Sequence, residues 1–278
     1  MSRNRDRLGG TQHQDTDPPA QGGGFSFVVP TELVELPSQG KFYPEGHPLH
    51  GKQEIEIRQM TAKEEDLLTS RALLKKGIAI DRLISSIIVD KRINADSLLI
   101  GDRNAIIIAT RIAGYGNMYE TKVTCPACEA TQDYNFDLHN HSTYDGSEAS
   151  DLGIVENEDG TFNVRLPRTG VEACFRLMNG RDEKTLLASL QNQRNSKVEN
   201  NITRQLSTIL VSVNGDSSMQ ARQYFVDNVP SIDSRHLRTA YKMAAPNIDL
   251  TQHFECSECS HEQDLEVPLS ADFFWSER

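Results

Sequence analysis

The chain has 278 residues with 29 basic and 40 acidic side chains, a net charge of −11, and enough length for two or three units with their own cores. No stretch approaches the roughly 18 consecutive apolar residues that a membrane span needs, and no apolar run follows the basic N-terminus, which argues against a secretory signal. Five cysteines without such a signal point to a reducing compartment, where paired Cys-x-x-Cys reads as metal ligation rather than disulfide.

Residues 1–24 are rich in Gly, Gln, Asp and Pro and read as a disordered tail. An N-terminal, mainly helical region is expected over 25–116. It opens with the apolar Phe25-Ser26-Phe27-Val28-Val29 segment, a strand that could add to a neighbour's sheet. Glu54–Arg58 alternates with period two and predicts a short strand. Thr61-Ala62-Lys63-Glu64 is a capping-box pattern opening a helix to about Lys76, with Gly77 suited to the left-handed C-cap. Ile80, Leu83, Ile84, Ile87 and Ile88 share one face of a second helix. Asp102 is placed to cap a third helix over Arg103–Ala113.

The most specific local signal follows. Cys125-Pro126-Ala127-Cys128 and Cys256-Ser257-Glu258-Cys259 each sit between strand-like stretches. Zinc favours four thiolates in a tetrahedron, and a two-residue gap lets one tight turn aim two sulfurs at one ion. Residues 117–138 and 247–278 therefore predict two β-hairpins of a split zinc ribbon, with Cys125, Cys128, Cys256 and Cys259 as ligands of a structural Zn²⁺. Four thiolates leave no open position for a catalytic water, so His253, His261, Glu255 and Glu258 read as surface or supporting groups. The fifth cysteine, Cys174, lies in a strand-like run and reads as a small buried thiol.

Between the hairpins, 139–246 predicts an inserted α+β subdomain whose ends lie side by side. His139 to Ser150 reads as an exposed loop, Asp159-Gly160 as a hairpin turn, and Val171–Leu177 as a strand. Helices are expected over Arg181–Asn192, Val198–Val213, Ser218–Asn228 and Ile232–Ala244, with a hydrophilic connector at 191–197. Closing a flexible loop of this length costs roughly 4 kcal/mol plus a constant, against an apparent ~10–16 kcal/mol from a structural zinc site.

Charge placement narrows the partners. Residues 117–138 carry one basic side chain against four acidic, and 247–278 one against eight, so the two hairpins hold −10 of the −11. Four thiolates and one Zn²⁺ add −2. A nucleic-acid surface needs basic groups to displace phosphate counterions, so protein partners are expected, with neither nucleic acid nor membrane. The alternative class is a zinc-ribbon regulator that binds nucleic acid. The consecutive His139-Asn140-His141 suits a polar loop, not a ββα-metal nuclease unit. The terminal Phe273, Phe274 and Trp275 either pack back onto the helices and hairpins or anchor in a partner's pocket.

Taken in order, several motifs carry a resemblance: Leu36-Pro37-Ser38-Gln39-Gly40-Lys41-Phe42-Tyr43-Pro44, Ile57-Arg58-Gln59-Met60-Thr61-Ala62-Lys63-Glu64, Gly101-Asp102-Arg103, Arg111-Ile112-Ala113-Gly114-Tyr115-Gly116, the two Cys-x-x-Cys pairs, Asp233 to Arg238, Pro246 to Leu250 and Ala271-Asp272-Phe273-Phe274-Trp275. From about residue 30 onward the chain resembles the baseplate hub proteins of T-even-type contractile-tailed bacteriophages. The resemblance implies a tail or tail-assembly protein without enzymatic activity. Its implied partners are other hub or tail-tip proteins, and its implied location is the virion tail baseplate, or the host cytoplasm during assembly. No catalytic residue is implied.

Overall fold

The computed structural model describes residues 28–192, 201–267 and 273–274. The fold is α+β, as expected. The reading of 1–24 as a tail, Phe25–Phe27, most of the 191–197 connector and Trp275 lie outside the described residues.

The chain enters as β1 (Thr31–Glu35), pairing antiparallel with β2 (Glu54–Arg58) from Thr31↔Arg58 to Glu35↔Glu54. Alternation puts Val34, Ile55 and Ile57 inside. Helices α1 (Ala62–Thr69), α2 (Arg71–Lys76) and α3 (Ala79–Ile87) follow. Glu64 does reach back to the start of α1, accepting from the Thr61 amide at 3.1 Å and the Thr61 hydroxyl at 2.7 Å. Gly77 ends α2 at φ 68 with its N–H on the Leu73 and Leu74 carbonyls.

The single helix expected up to Lys76 is broken at Ser70, which is extended at ψ 107. The Thr69 hydroxyl bonds back to the Glu65 carbonyl at 2.9 Å, and such side-chain competition with the backbone ladder weakens a helix where two hydroxyl residues adjoin. A second correction concerns Asp102. Helix α4 (Ile100–Tyr115) starts two residues ahead of it, after Leu99. The Asp102 side chain is fully buried and turns away to accept from the Ser38 amide at 3.0 Å, the Ser38 hydroxyl at 2.6 Å and the Tyr43 hydroxyl at 2.7 Å. It pins the turn-rich loop after β1 to α4.

Burial raises the Asp102 pKa above the usual carboxylate range, against the opposing hydrogen bonds from Ser38 and Tyr43. A carboxyl whose pKa is raised on folding contributes stability that is present below its unfolded pKa and lost as pH climbs through the folded value. Asp102→Asn keeps one of the two acceptor oxygens and removes that loss. The melting temperature of the variant relative to the parent will therefore rise as pH climbs above the ordinary carboxylate range, about pH 4. A difference independent of pH in thermal scans would contradict this role.

After α4 come the hairpins β3 (Met118–Thr124)–β4 (Thr131–Asp137) and, far later, β11 (Thr251–Glu255)–β12 (Glu262–Glu266). The stretch expected as an exposed loop from His139 contains a strand, β5 (Ser142–Tyr144), which pairs antiparallel with β10 (Asn247–Asp249), and a 3-10 turn over Ser147–Leu152. Those partners lie about a hundred residues apart, so no local pattern announces them. The β5–β10 pair brings the start and end of the intervening segment together.

That segment holds β6 (Val155–Glu156), β7 (Thr161–Arg165), β8 (Glu172–Arg176) and β9 (Leu210–Val213) in one antiparallel sheet of order β6-β7-β8-β9. Packed with it are α5 (Gly180–Asn192), α6 (Asn201–Ile209), α7 (Met219–Asn228) and α8 (Ser231–Ala244). Here the helix expected to run to Val213 stops at Ile209. Leu210, Val211 and Val213 are aliphatic and mostly β-branched, and they complete the sheet edge beside β8.

Two hydrophobic cores result. One joins β1, β2, α3, α4 and both hairpins through Ile57, Leu83, Ile106, Phe136 and Phe254, so the hairpins share their core with the N-terminal helices. The other is formed by Phe162, Phe175, Leu206, Leu210 and Leu237 within 154–245. Leu99 packs against both, and the backbones meet beside it through Ile100 N–H to Met178 O and Gly180 N–H to Leu98 O. At Gly101 a β-carbon would stand 1.9 Å from the Pro246 carbonyl oxygen, so only glycine lets α4 approach the end of α8.

Candidate metal centre

Each Cys-x-x-Cys occupies the turn of its hairpin, and the two turns repeat one geometry. The Cys125 amide donates to Ala130 O at 2.8 Å and the Glu129 amide returns to Cys125 O at 2.9 Å; the Cys256 amide donates to His261 O at 2.9 Å and Ser260 returns to Cys256 O at 2.9 Å. Glu129 and Ser260, each four residues after the first cysteine of its pair, have positive φ of 60 and 52. Non-glycine residues in that region are strained and concentrate at functional turns.

The hairpins are braced side to side by polar groups. Gln132 spans the gap, donating to Glu255 O at 3.1 Å and accepting from the Ser257 amide at 2.9 Å. Gln252 mirrors it, donating to Asp137 O at 2.8 Å and accepting from the Asp137 amide at 3.2 Å. The Tyr134 hydroxyl donates to His253 O at 2.8 Å, and its ring packs 5.2 Å from Phe254. Neither Gln132, in the second strand of its hairpin, nor Gln252, in the first strand of the other, carries a motif that marks this role.

This bracing brings all four sulfurs together within 4.8 Å of one another. Cys125 and Cys259 are 3.8 Å apart, and Cys128 and Cys256 3.7 Å. A disulfide would need about 2.05 Å. Four sulfurs placed ~2.3 Å from a central zinc in a tetrahedron lie about 3.8 Å apart, so the donor set and its spacing fit one such ion. Cys125 and Cys256 are buried, while Cys128 and Cys259 face outward.

The electrostatics of the four thiols suit a cation at their centre. Despite the opposing effect of burial, the Cys128 and Ala127 amides lower Cys125 to about 7. Cys259 goes the other way: the His261 amide favours its thiolate, but Cys128, burial and the remaining sulfurs push it up to about 12. One thiolate forms readily and the later ones are opposed by those already charged. A divalent ion at the centre removes that opposition.

Cys174 is half-buried on β8, outside the cluster. His253 and His261 contribute no atom to the sulfur group. His139 is exposed, and the His141 ring sits 2.8 Å from the Leu138 carbonyl oxygen. Phe273 and Phe274 are buried, with the Phe273 ring edge-on to Tyr119 at 5.1 Å. The group that holds them was not foreseen. Arg111 is buried on α4 among Ile108 and Ile112, donating to Phe273 O at 2.8 Å, Gly116 O at 2.8 Å and Met118 O at 3.2 Å. It ties α4, the entry to β3 and the aromatic terminus at one point. An arginine between Ile108 and Ile112 was the available signal.

Around the centre the surface is acidic: Glu120, Glu129, Asp133, Glu255 and Glu258 are all exposed. Among the described residues no helix is long and apolar enough to cross a membrane. Comparison with known proteins found that a family model described as T4 bacteriophage base plate protein matches residues 30–275. No curated protein and no solved structure matched the chain.

Proposed function

The chain belongs to the T4 bacteriophage base plate protein family, and from that premise we propose that it is a hub component or hub-assembly factor that works through protein contacts. Membership puts it in the phage tail, among other phage structural proteins. In our reading it is not an enzyme. Cys125, Cys128, Cys256 and Cys259 hold a structural zinc, and residues 117–138 with 247–278 form a split zinc ribbon carrying 139–246 as an inserted subdomain between its halves.

The observation that carries this reading is the four-sulfur cluster built from two hairpins at opposite ends of the insert. A metal there fixes the hairpins to each other, and through Phe136 and Phe254 to the core that contains α4. A full thiolate set supplies no site for water or substrate, so the metal's chemistry is to crosslink. The acidic hairpin surface favours basic protein partners over a phosphate backbone.

Labelling the chain with gold-tagged antibody on purified tails and assembly intermediates tests the assignment. Label at the centre of the base plate, or on hub intermediates alone, is the expected result. Label confined to the base plate rim, or tails with normal base plates when the gene is disabled, would overturn it. The nucleic-acid reading predicts tight, salt-sensitive DNA binding in a low-salt gel shift; the present reading predicts none.

A further inference from the structure

A hollow of about 550 Å³ lies in the 154–245 unit, between α5, the α6–β9 junction and the start of α7. It is remote in sequence from the four clustered cysteines and plays no part in the role above. Two arginines border it, and they differ in what neutralises them.

Arg176 is satisfied. Its two terminal nitrogens clasp Asp182 at 2.7 and 2.8 Å, and one also donates to Leu177 O at 3.1 Å. Arg222 is not. Its Nη1 donates to the Leu210 carbonyl at 3.2 Å, and no described carboxylate lies within ion-pair distance. Its Nε is shielded from solvent and has no acceptor. An unmade hydrogen bond on a buried group costs about 1–3 kcal/mol, more for a charged one; an atom closed to water is equally closed to a ligand, so pairing in the hollow falls to the terminal nitrogens of Arg222. Arg204 and Arg238 also carry one shielded, unpartnered nitrogen each, but neither borders this hollow.

The remaining polar lining sets the ligand's character. The hydroxyls of Ser207, Thr208 and Thr185 already donate to the helix carbonyls of Thr203, Arg204 and Arg181. Ser217 and Arg222 are the lining side chains that keep unspent donors, and they call for a ligand that accepts. One guanidinium edge matches one carboxylate in a forked pair, whereas the Asp182 carboxylate nearby disfavours a phosphate dianion. Leu210 and Val211 add an aliphatic wall suited to the methylenes behind a side-chain carboxylate.

We propose that this hollow is a binding site for an acidic side chain on a peptide segment of a neighbouring tail protein, with Arg222 as the group that pairs it. The choice of occupant rests on the reading of the chain as one that works through protein contacts; the site itself does not.

The test titrates N-acetyl-glutamate amide, and separately inorganic phosphate, into the isotopically labelled full chain while following backbone amide resonances. Saturable shifts at Ser217 and Arg222 are expected with the glutamate probe, weakened at least about tenfold by Arg222→Met, equivalent to ~1.4 kcal/mol. Should Arg222→Met fail to fold, Arg222→Lys keeps the charge but loses the fork, and weaker binding is again expected. Absence of saturable shifts, equal binding by the lysine variant, or tighter binding of phosphate (an adventitious ion only) would overturn the site. None of these outcomes bears on where antibody labels the tail.

Discussion

Replacing Cys125 by serine will abolish stoichiometric metal binding and leave the two hairpins unable to hold their mutual position. The expected loss is large because an ion held by the four sulfurs would act on distant parts of the chain at once. A structural zinc contributes an apparent ~10–16 kcal/mol at neutral pH, comparable with the ~5–15 kcal/mol that separates a typical folded domain from its unfolded chain. Cys125 is fully buried and belongs to the same core as Phe136 and Phe254, so disorder at the sulfurs spreads into that core. Limited proteolysis will cut the variant within 117–138 and 250–267 under conditions that leave the parent intact. Cys174→Ser, outside the cluster, will keep the parent's metal content. Protease resistance of Cys125→Ser equal to that of the metal-loaded parent would remove the structural role.

The second large effect belongs to Arg103. It is 4% exposed and donates to Asp81, itself 6% exposed, at 2.7 Å and to the Ala95 carbonyl at 3.1 Å. Lys184 and Glu183 of α5 complete the group, at 3.2 Å from Asp81 and 3.4 Å from Arg103. Gly180 belongs to it as well, since a β-carbon there would meet the guanidinium at 2.7 Å. The cluster joins α3 and α4 to the first turn of α5, and so bridges the two cores. Truncating one partner of a buried pair strands the other charge, at a cost of about 3–5 kcal/mol. Arg103→Ala should fall at the lower end, because Lys184 still faces Asp81. Urea unfolding will show this loss, and Asp81→Asn combined with Arg103→Ala will lose less than the sum of the single changes. A loss below about 1 kcal/mol for Arg103→Ala would mean that the pair is solvated.

Legibility in the sequence followed range. The cysteine pairs were readable because a two-residue gap is a local signature, and the α3 face because its apolar spacing repeats every turn. The Asp159-Gly160 turn and the Gly77 cap were readable for the same reason: a positive φ asks for glycine within one turn. Non-local partners were not readable. β5 pairs with β10 across about a hundred residues, and its short polar sequence resembles a loop. Leu210–Val213 continues the apolar pattern of α6, and periodicity alone does not separate a short aliphatic strand from another helical turn. Asp102 has the composition of a cap, and only the fold shows that Ser38 and Tyr43 claim its carboxylate. Nothing local marks Arg103 as buried, since its partners Asp81 and Glu183 come from other helices. The Arg222 hollow is assembled from three helices and two strands, with no motif in any of them.

X-ray absorption at the zinc edge, recorded on native protein purified without added metal, reaches the central claim most directly. One zinc per chain with a first shell of four sulfurs at ~2.3 Å is the predicted result. A metal-free protein, or a first shell containing nitrogen or oxygen, would contradict it.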